Sequence, residues 1–225
     1  MNSLEHVYTK TATVSLLESN RLLRNTYALL SMTLLFSAFT AGVSMVLELP
    51  HPGLIVTLLG YFGLLFLVNR FQNSVWGLVF VFALTGFMGM TLGPILNLYL
   101  SHFVNGGLMI MTALGGTGFI FVGLSAYVLT TRKNFNFLGG MLMAGMWVAL
   151  LAGIAAIFLP EMTGLHLAVS SMFILLMSGM ILFQTSTIIH GGEDNYILAT
   201  LSLYVSIFNL FTSLLQILGI LNSDE

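Results

Sequence analysis

The sequence predicts an all-α integral membrane protein of seven transmembrane helices. Of its 225 residues, 57% are hydrophobic and 6% are charged, whereas a soluble domain carries about 25% charged residues because its surface must be hydrated. This composition excludes an ordinary soluble enzyme and makes membrane lipid the expected partner of the chain's surface. The apolar runs are continuous rather than alternating, which disfavours a transmembrane β-barrel.

Seven apolar stretches account for the predicted helices in chain order. Crossing a hydrocarbon core about 30 Å thick takes about 20 helical residues, and the seven stretches approach or exceed that length. They cover residues 27–47, 54–68, 75–92, 108–129, 137–159, 165–183 and 196–220. The second is short, and polar residues in the seventh lower its hydropathy without shortening it.

The residues before the first span are expected to form a separate segment. Residues 1–23 are polar and contain no apolar core of signal-peptide length, so the first span is itself the expected insertion signal. We predict a mobile cytoplasmic tail over residues 1–23, followed by a seven-helix transmembrane domain over residues 24–225.

The six Lys and Arg residues predict the orientation of the spans. With seven spans, all six fall on one side of the membrane and the opposite side receives none. They are Lys10, Arg21, Arg24, Arg70, Arg132 and Lys133. Because cytoplasmic loops carry the excess of cations, we predict a cytoplasmic N-terminus and a C-terminus on the outer side.

Several classes of function are disfavoured by residues that the sequence lacks. There is no cysteine, which excludes disulfides, thiolate catalysis and Cys-ligated metals, and the net charge of −2 gives no basic footprint for nucleic acid. The five histidines form no metal motif. No Asp, Glu, Lys or Arg lies in the middle third of any span, which disfavours a proton-coupled transporter or an ion pump. We therefore predict a protein that is not an enzyme and has no cofactor.

Polar side chains mark the sixth and seventh spans. Gln184 lies near the inner end of span six. Span seven carries a polar stripe at spacings of four, three and four residues, which places its members on one helical face: Ser202, Ser206, Asn209 and Ser213. Such a stripe should face protein or water rather than lipid. Two interpretations stay open, because the stripe could make hydrogen bonds between helices or line a narrow polar path through the bundle.

Small residues at helical spacing predict close packing of spans three and five. Span five carries Gly145, Ala149 and Gly153, one every fourth residue, and span three carries Gly89 and Gly93. Small side chains at this spacing let two helix backbones approach each other. We therefore predict that all five residues lie at contacts between helices.

Short sequence stretches along the chain resemble a known family. They are Arg-Leu-Leu-Arg-Asn-Thr-Tyr from residue 21, Thr-Gly-Phe from residue 85, Leu-Gly-Pro-Ile from residue 92, Thr-Thr-Arg-Lys from residue 130, Phe-Leu-Gly-Gly from residue 137, Asn-Tyr-Ile from residue 195, Leu-Tyr from residue 203 and Ile-Phe-Asn-Leu-Phe from residue 207. Together, in this order and spacing, they resemble the Bax inhibitor-1 family, also called transmembrane Bax inhibitor motif proteins. The nearest resemblance is to its bacterial YccA-like branch.

The resemblance implies a fold, a location and a function. The expected fold is a bundle in which the last of seven helices is wrapped by the other six. The expected location is the bacterial inner membrane, with the C-terminus in the periplasm. The expected function is that of a slow substrate and competitive inhibitor of the FtsH-type ATP-dependent membrane protease in membrane protein quality control. The implied partners are that protease and its associated regulators.

Other members of the family suggest an alternative function, a calcium leak channel. Their pH sensor is a pair of aspartates, and the matching positions in this sequence are Gln184 and Ser206. Neither side chain titrates near neutral pH, and calcium prefers anionic oxygen ligands. The resemblance therefore implies that the pH gate is absent here. A third interpretation is a purely structural partner of another membrane complex.

Overall fold

The computed structural model describes the backbone of residues 2–222 and the side chains from Asn20 onward. Within this range the chain forms seven α-helices and no strand. Their bounds are α1 Asn2–Val46, α2 Leu54–Phe71, α3 Val75–His102, α4 Gly106–Thr131, α5 Leu138–Phe158, α6 Thr163–Ile189 and α7 Tyr196–Asn222. All seven are long and apolar enough to cross a membrane, the first through its part Asn20–Val46. The predicted all-α fold class with seven spans is confirmed.

α1 and α3 extend furthest beyond their predicted bounds. α1 begins at Asn2, so the segment predicted as a mobile tail has a helical backbone that is continuous with the first span. The absence of an apolar stripe does not rule out such an extension, because extending an existing helix requires no new nucleus. α3 continues past residue 92, through Pro94, and ends at His102.

Pro94 lies within α3 because a neighbouring helix replaces the hydrogen bond that the proline removes. A proline has no N–H for the carbonyl four residues earlier, which here belongs to Met90. The fully buried Ser44 of α1 donates its hydroxyl to that carbonyl oxygen at 2.8 Å. In a membrane, a serine from another helix can satisfy the freed carbonyl in this way, and the helix then tolerates the proline.

Glycines on α3 let α1 approach closely. A Cβ atom on Gly89 would collide with the Ser37 carbonyl oxygen and the Thr40 hydroxyl of α1, and one on Gly93 would lie 2.5 Å from the Ser44 side chain. Gly89 and Gly93 therefore lie at a close contact between helices, as predicted.

The small residues of α5 do not all have the same surroundings. A Cβ atom on Gly145 would lie 2.6 Å from Leu176 Cδ2 of α6, and Ala149 is completely buried. A Cβ atom on Gly153 would have no atom of a neighbouring element within 4 Å, because Gly153 borders a cavity instead. The prediction that Gly153 lies at a close helix contact is therefore wrong.

The interior of the bundle is formed by α3 and α7. Half of the most apolar window of each is buried, against 6% for α2. α7 packs on α1, α3, α4 and α6, whereas α2 packs mainly on α3, and α5 mainly on α6. The last helix is thus closely packed by four helices. The resemblance implied that all six other helices surround it.

Buried hydrogen bonds join α7 to α1 and α3. The Tyr204 hydroxyl donates to the Thr85 carbonyl of α3 at 3.2 Å. Because its one hydrogen is used there, the Ser37 hydroxyl of α1 donates to Tyr204 Oη at 2.7 Å. Thr200 Oγ1 shares its one hydrogen between the Tyr196 carbonyl of its own helix at 2.7 Å and the Thr26 carbonyl of α1 at 3.1 Å. Tyr204 is buried and has the largest side chain in the interior. Its single hydroxyl connects α7 to both α1 and α3.

A double-mutant cycle tests the pairing of Ser44 with the Met90 carbonyl. Ser44→Ala should lower the free energy of unfolding by about 0.6–2 kcal/mol, the range for hydrogen bonds between membrane helices. In a Pro94→Ala background the new N–H serves the same carbonyl, so Ser44→Ala should cost markedly less. The measurement is reversible unfolding of the purified chain in detergent.

The control for this cycle is Ser31→Ala. Ser31 lies on the exposed side of α1 and donates to the Tyr27 carbonyl of its own helix, so its cost should be the same with Pro94 or Ala at position 94. An equal cost of Ser44→Ala in both backgrounds would contradict the pairing.

Candidate functional site

Four of the five polar residues singled out in spans six and seven line one cavity. The cavity has a volume of about 760 Å³ and is bordered by α2, α3, α5, α6 and α7. Gln184, Ser202, Ser206 and Asn209 all contribute to its wall. The rest of the wall is largely apolar and aromatic, with contributions from Phe62, Phe87, Met146, Phe173, Met177 and Met180. The structure therefore brings these polar residues together in one cleft between helices.

The polar side chains on α7 form hydrogen bonds within their own helix. Ser206 Oγ donates to the Ser202 carbonyl at 2.9 Å, and Asn209 Nδ2 donates to the Val205 carbonyl at 2.8 Å. The hydrogen bonds that join α7 to other helices come instead from Tyr204 and Thr200, which the sequence analysis missed. Of the two interpretations of the stripe, the geometry favours the lining of a cavity.

A second cavity continues along the same face of α7. It has a volume of about 340 Å³ and lies between α5, α6 and α7, where His166, Ser213 and Gln216 contribute polar groups. Asn209 and Phe173 border both cavities. The two spaces therefore follow α7 one after the other and meet at these two side chains.

The described part of both cavity walls is almost free of ionisable groups. Glu193 is the acidic residue that borders the first cavity, and its Oε1 accepts hydrogen bonds from the backbone N–H groups of Asp194 at 3.1 Å and Asn195 at 3.0 Å. No group of three or more His, Asp or Glu residues that could hold a metal ion occurs among the described residues. Calcium takes six to eight oxygen ligands, usually several of them carboxylates, so this wall does not suit it.

Loops at one end of the bundle are tied together beside the opening of the first cavity. Asn195 Nδ2 donates to the Gln72 carbonyl at 3.1 Å, and Asn195 Oδ1 caps α7 by accepting from Ile197 N at 2.8 Å. The α6–α7 loop thus holds the α2–α3 loop. The asparagine therefore fixes where α7 begins relative to the end of α2.

The α4–α5 loop is fastened to the end of α6 by side chains of that helix. Ser186 Oγ accepts from Phe135 N at 2.8 Å. Thr187 Oγ1, which donates to the Phe183 carbonyl of its own helix at 2.8 Å, lies 3.2 Å from Asn136 Oδ1. His190 Nε2 lies 3.2 Å from the Arg132 carbonyl oxygen. Three loops are therefore held in place at this end.

The same end carries the cations used to predict orientation. Residues at the start of the first span, at the end of α2 and after α4 lie there, and all of those described are exposed to the surroundings: Arg21, Arg24, Arg70, Arg132 and Lys133. The side chain of Lys10 is outside the described residues. Because these cations share one end of the bundle, we call it the cationic end.

Comparisons with known proteins give the chain a family. A model of the family described as "Inhibitor of apoptosis-promoting Bax1" matches residues 19–223. The chain is 59% identical over 210 residues to a protein of Escherichia coli (strain K12) named "Modulator of FtsH protease YccA", covering 93% of this chain and 94% of the relative. It is 46% identical over 221 residues to an "Uncharacterized membrane protein" of Vibrio cholerae, covering 97% and 98%. It is 30% identical over 209 residues to "Protein lifeguard 4" of Mus musculus, covering 89% and 85%.

The scarcity of ionisable groups in the cavity walls predicts that any calcium flux through the chain responds little to pH. Gln184 and Ser206 border the same cavity, so Gln184→Asp combined with Ser206→Asp should place two carboxylates in one low-dielectric space. Such carboxylates share a proton and titrate at shifted, coupled pKa values. In liposomes, the double variant should acquire pH-dependent calcium flux across the neutral range, while the native chain shows a small and flat flux.

The two single variants are the controls for this experiment, since one carboxylate alone has no partner with which to share a proton. A steep pH response of the native chain would contradict the prediction, because it would require a different titrating group.

Proposed function

The chain belongs to the Bax inhibitor-1 family, and on this premise we propose that it modulates an FtsH-type ATP-dependent protease of the bacterial inner membrane. The proposal rests on the 59% identity, over nearly the whole of both chains, to a relative named as a modulator of that protease. The fold agrees with it, because seven apolar helices leave little of the described chain outside the membrane. We propose that the protein acts by binding the protease and not as an enzyme.

We propose that the cationic end faces the cytoplasm. The positive-inside rule concerns cations in short loops near the ends of spans, and Arg70, Arg132 and Lys133 are of this kind. The N-terminus then lies on the cytoplasmic side and the C-terminus in the periplasm. A membrane-anchored protease with a cytoplasmic ATPase would meet the N-terminal segment first.

The proposed mechanism is competition by a substrate that is gripped easily and extracted slowly. A processive protease needs a segment that it can unfold at its entrance, and residues 1–23 form the longest polar stretch at the cationic end. A polar helix outside the membrane has little to stabilise it, because most helical stability in proteins comes from the packing of an apolar face. Extraction of the spans is slow because α1 is fastened to α3 by Ser44 and by the glycine contacts. The occupied protease then degrades other substrates more slowly.

The calcium leak stays the weaker alternative. Both cavities follow α7, which is what a path through the membrane would require. Their described walls nevertheless offer a single carboxylate, that of Glu193, and Phe173 and Asn209 lie where they meet. The observation that would favour transport, a row of anionic oxygens, is missing from the described wall.

Reporter fusions test the orientation. A reporter that is active only outside the cytoplasm should be active when fused after Glu225 and inactive when fused near Arg132, because an odd number of spans separates these points from each other. A cytoplasmic reporter should give the reverse pattern at both sites. Activity on the same side at both sites would contradict the seven-span topology, and exchanged sides would contradict the orientation.

A deletion tests whether the N-terminal segment is the handle for the protease. Removing residues 2–14 keeps Arg21 and Arg24, so insertion and orientation should be unchanged. We expect the shortened protein to be degraded much more slowly and to lose most of its inhibition of the degradation of a second membrane substrate. The measurement is a chase of both proteins in cells that contain the FtsH-type protease.

The matched control replaces residues 2–14 by an unrelated polar sequence of the same length, which should restore both degradation and inhibition if only a segment to grip is needed. Degradation of the shortened protein at the full-length rate would overturn the competitor mechanism. If the full-length chain does not slow the degradation of the second substrate, the proposed function itself is overturned.

A further inference from the structure

We propose that the first cavity binds a phospholipid with an ammonium headgroup, one acyl chain of which lies along α7 in the leaflet at the cationic end. This inference is independent of the proposed function, because it follows from the dimensions and the chemistry of the cavity wall. The sequence analysis placed lipid around the protein, whereas the structure assigns one lipid a site within it.

The length of the cavity corresponds to one leaflet. Its wall extends from Leu198 to Asn209 on α7 and from Phe173 to Gln184 on α6, and eleven residues of helix rise about 17 Å in each case. Half of a hydrocarbon core about 30 Å thick is about 15 Å. The bordering side chains Asn69 and Glu193 lie at the cationic end, so the cavity occupies the leaflet on that side.

A helix of another protein is too wide to lie inside the cavity. The volume of about 760 Å³ spread over that length gives a mean cross-section of about 45 Å², whereas even a slender helix about 10 Å across requires about 80 Å². An extended peptide is excluded for a different reason, because its backbone N–H and C=O groups would have no partners in an apolar space. An acyl chain is long, thin and free of polar groups.

The wall suits a chain of methylene groups along most of its length. Phe62, Phe87, Met146 and Met177 present apolar surface, and methionine adapts its shape to irregular contacts. The serine hydroxyl at position 206 is already bonded to a carbonyl of its own helix. An acyl chain can therefore cover it without leaving a polar group unpaired.

Polar groups that could hold a headgroup lie at the cationic end of the cavity. Gln184 is five residues from the end of α6, and the contact described for its amide is a weak one, to Met180 Sδ at 3.8 Å. This amide can donate to an ester carbonyl at the boundary of the hydrocarbon. At the opening, the Glu193 carboxylate attracts an ammonium group. This combination favours phosphatidylethanolamine over phosphatidylglycerol.

The experiment uses the full-length chain, purified in detergent and supplied with phosphatidylethanolamine that carries a photoreactive group in one acyl chain. Native mass spectrometry counts the bound lipid, and peptide mapping locates the crosslinks. We expect one retained lipid, crosslinks at Met146, Met177 or Met180, and several-fold weaker retention of phosphatidylglycerol.

Two substitutions fill the cavity and one controls for surface effects. Ser202→Phe should reduce the retained phosphatidylethanolamine and the internal crosslinks several-fold. Leu150→Trp, on the more exposed border of the same cavity, should do the same and gives an answer if Ser202→Phe does not fold. Leu35→Phe on α1, where Leu35 is 73% exposed, should leave both readouts unchanged.

Each contrary result overturns a defined part of the proposal. Crosslinks spread over the outer faces of the helices, or equal retention in all variants, would overturn the acyl-chain site. Equal retention of the two lipids would overturn the headgroup assignment. A partner protein that copurifies and excludes the lipid from the cavity would overturn the choice of occupant.

Discussion

The lack of water in the bilayer is the constraint on which the rest of this structure depends. A carbonyl that loses its helical N–H partner must find a donor inside the protein, and Pro94 creates such a carbonyl at Met90. Ser44 satisfies it from α1, which requires α1 to lie close to α3, and Gly93 leaves the space for Ser44. The proline, the glycine and the serine therefore form one unit, in which each residue makes another necessary.

The same constraint separates the two kinds of polar residue on α7. Tyr204 uses its hydroxyl to join three helices, and this bond fixes the rotation of α7 about its axis. That rotation turns the face with Ser206 and Asn209 toward the cavity, where both side chains bond to carbonyls of α7 itself. Tyr204, which joins three helices, and Ser206, which lines the cavity, thus lie two residues apart on different faces of α7.

The sequence predicts those features that depend on local pattern. Span positions follow from hydropathy, the cationic end from the Lys and Arg positions, and the shared face of Ser202, Ser206 and Asn209 from helical periodicity. The continuation of α3 past Pro94 could not be predicted, because the compensating Ser44 lies fifty residues earlier in the chain. The cavity depends on how far α2 stands from α5 and α6, which no local pattern encodes. Gly153 belongs to the same four-residue repeat as Gly145 but borders the second cavity, between α5, α6 and α7.

The order of helix packing explains why a pull from the N-terminus would meet resistance at once. In the proposed mechanism α1 is the first span to be extracted, and the α1–α3 contact is the most extensive between any two helices. Its contacts include the Ser44 hydrogen bond, the Gly89 contact and the Ser37 link to Tyr204. The loosely held α2, of which 6% of the apolar window is buried, follows only afterwards. A chain with the opposite order would release a weak helix first and would be a good substrate rather than a slow one.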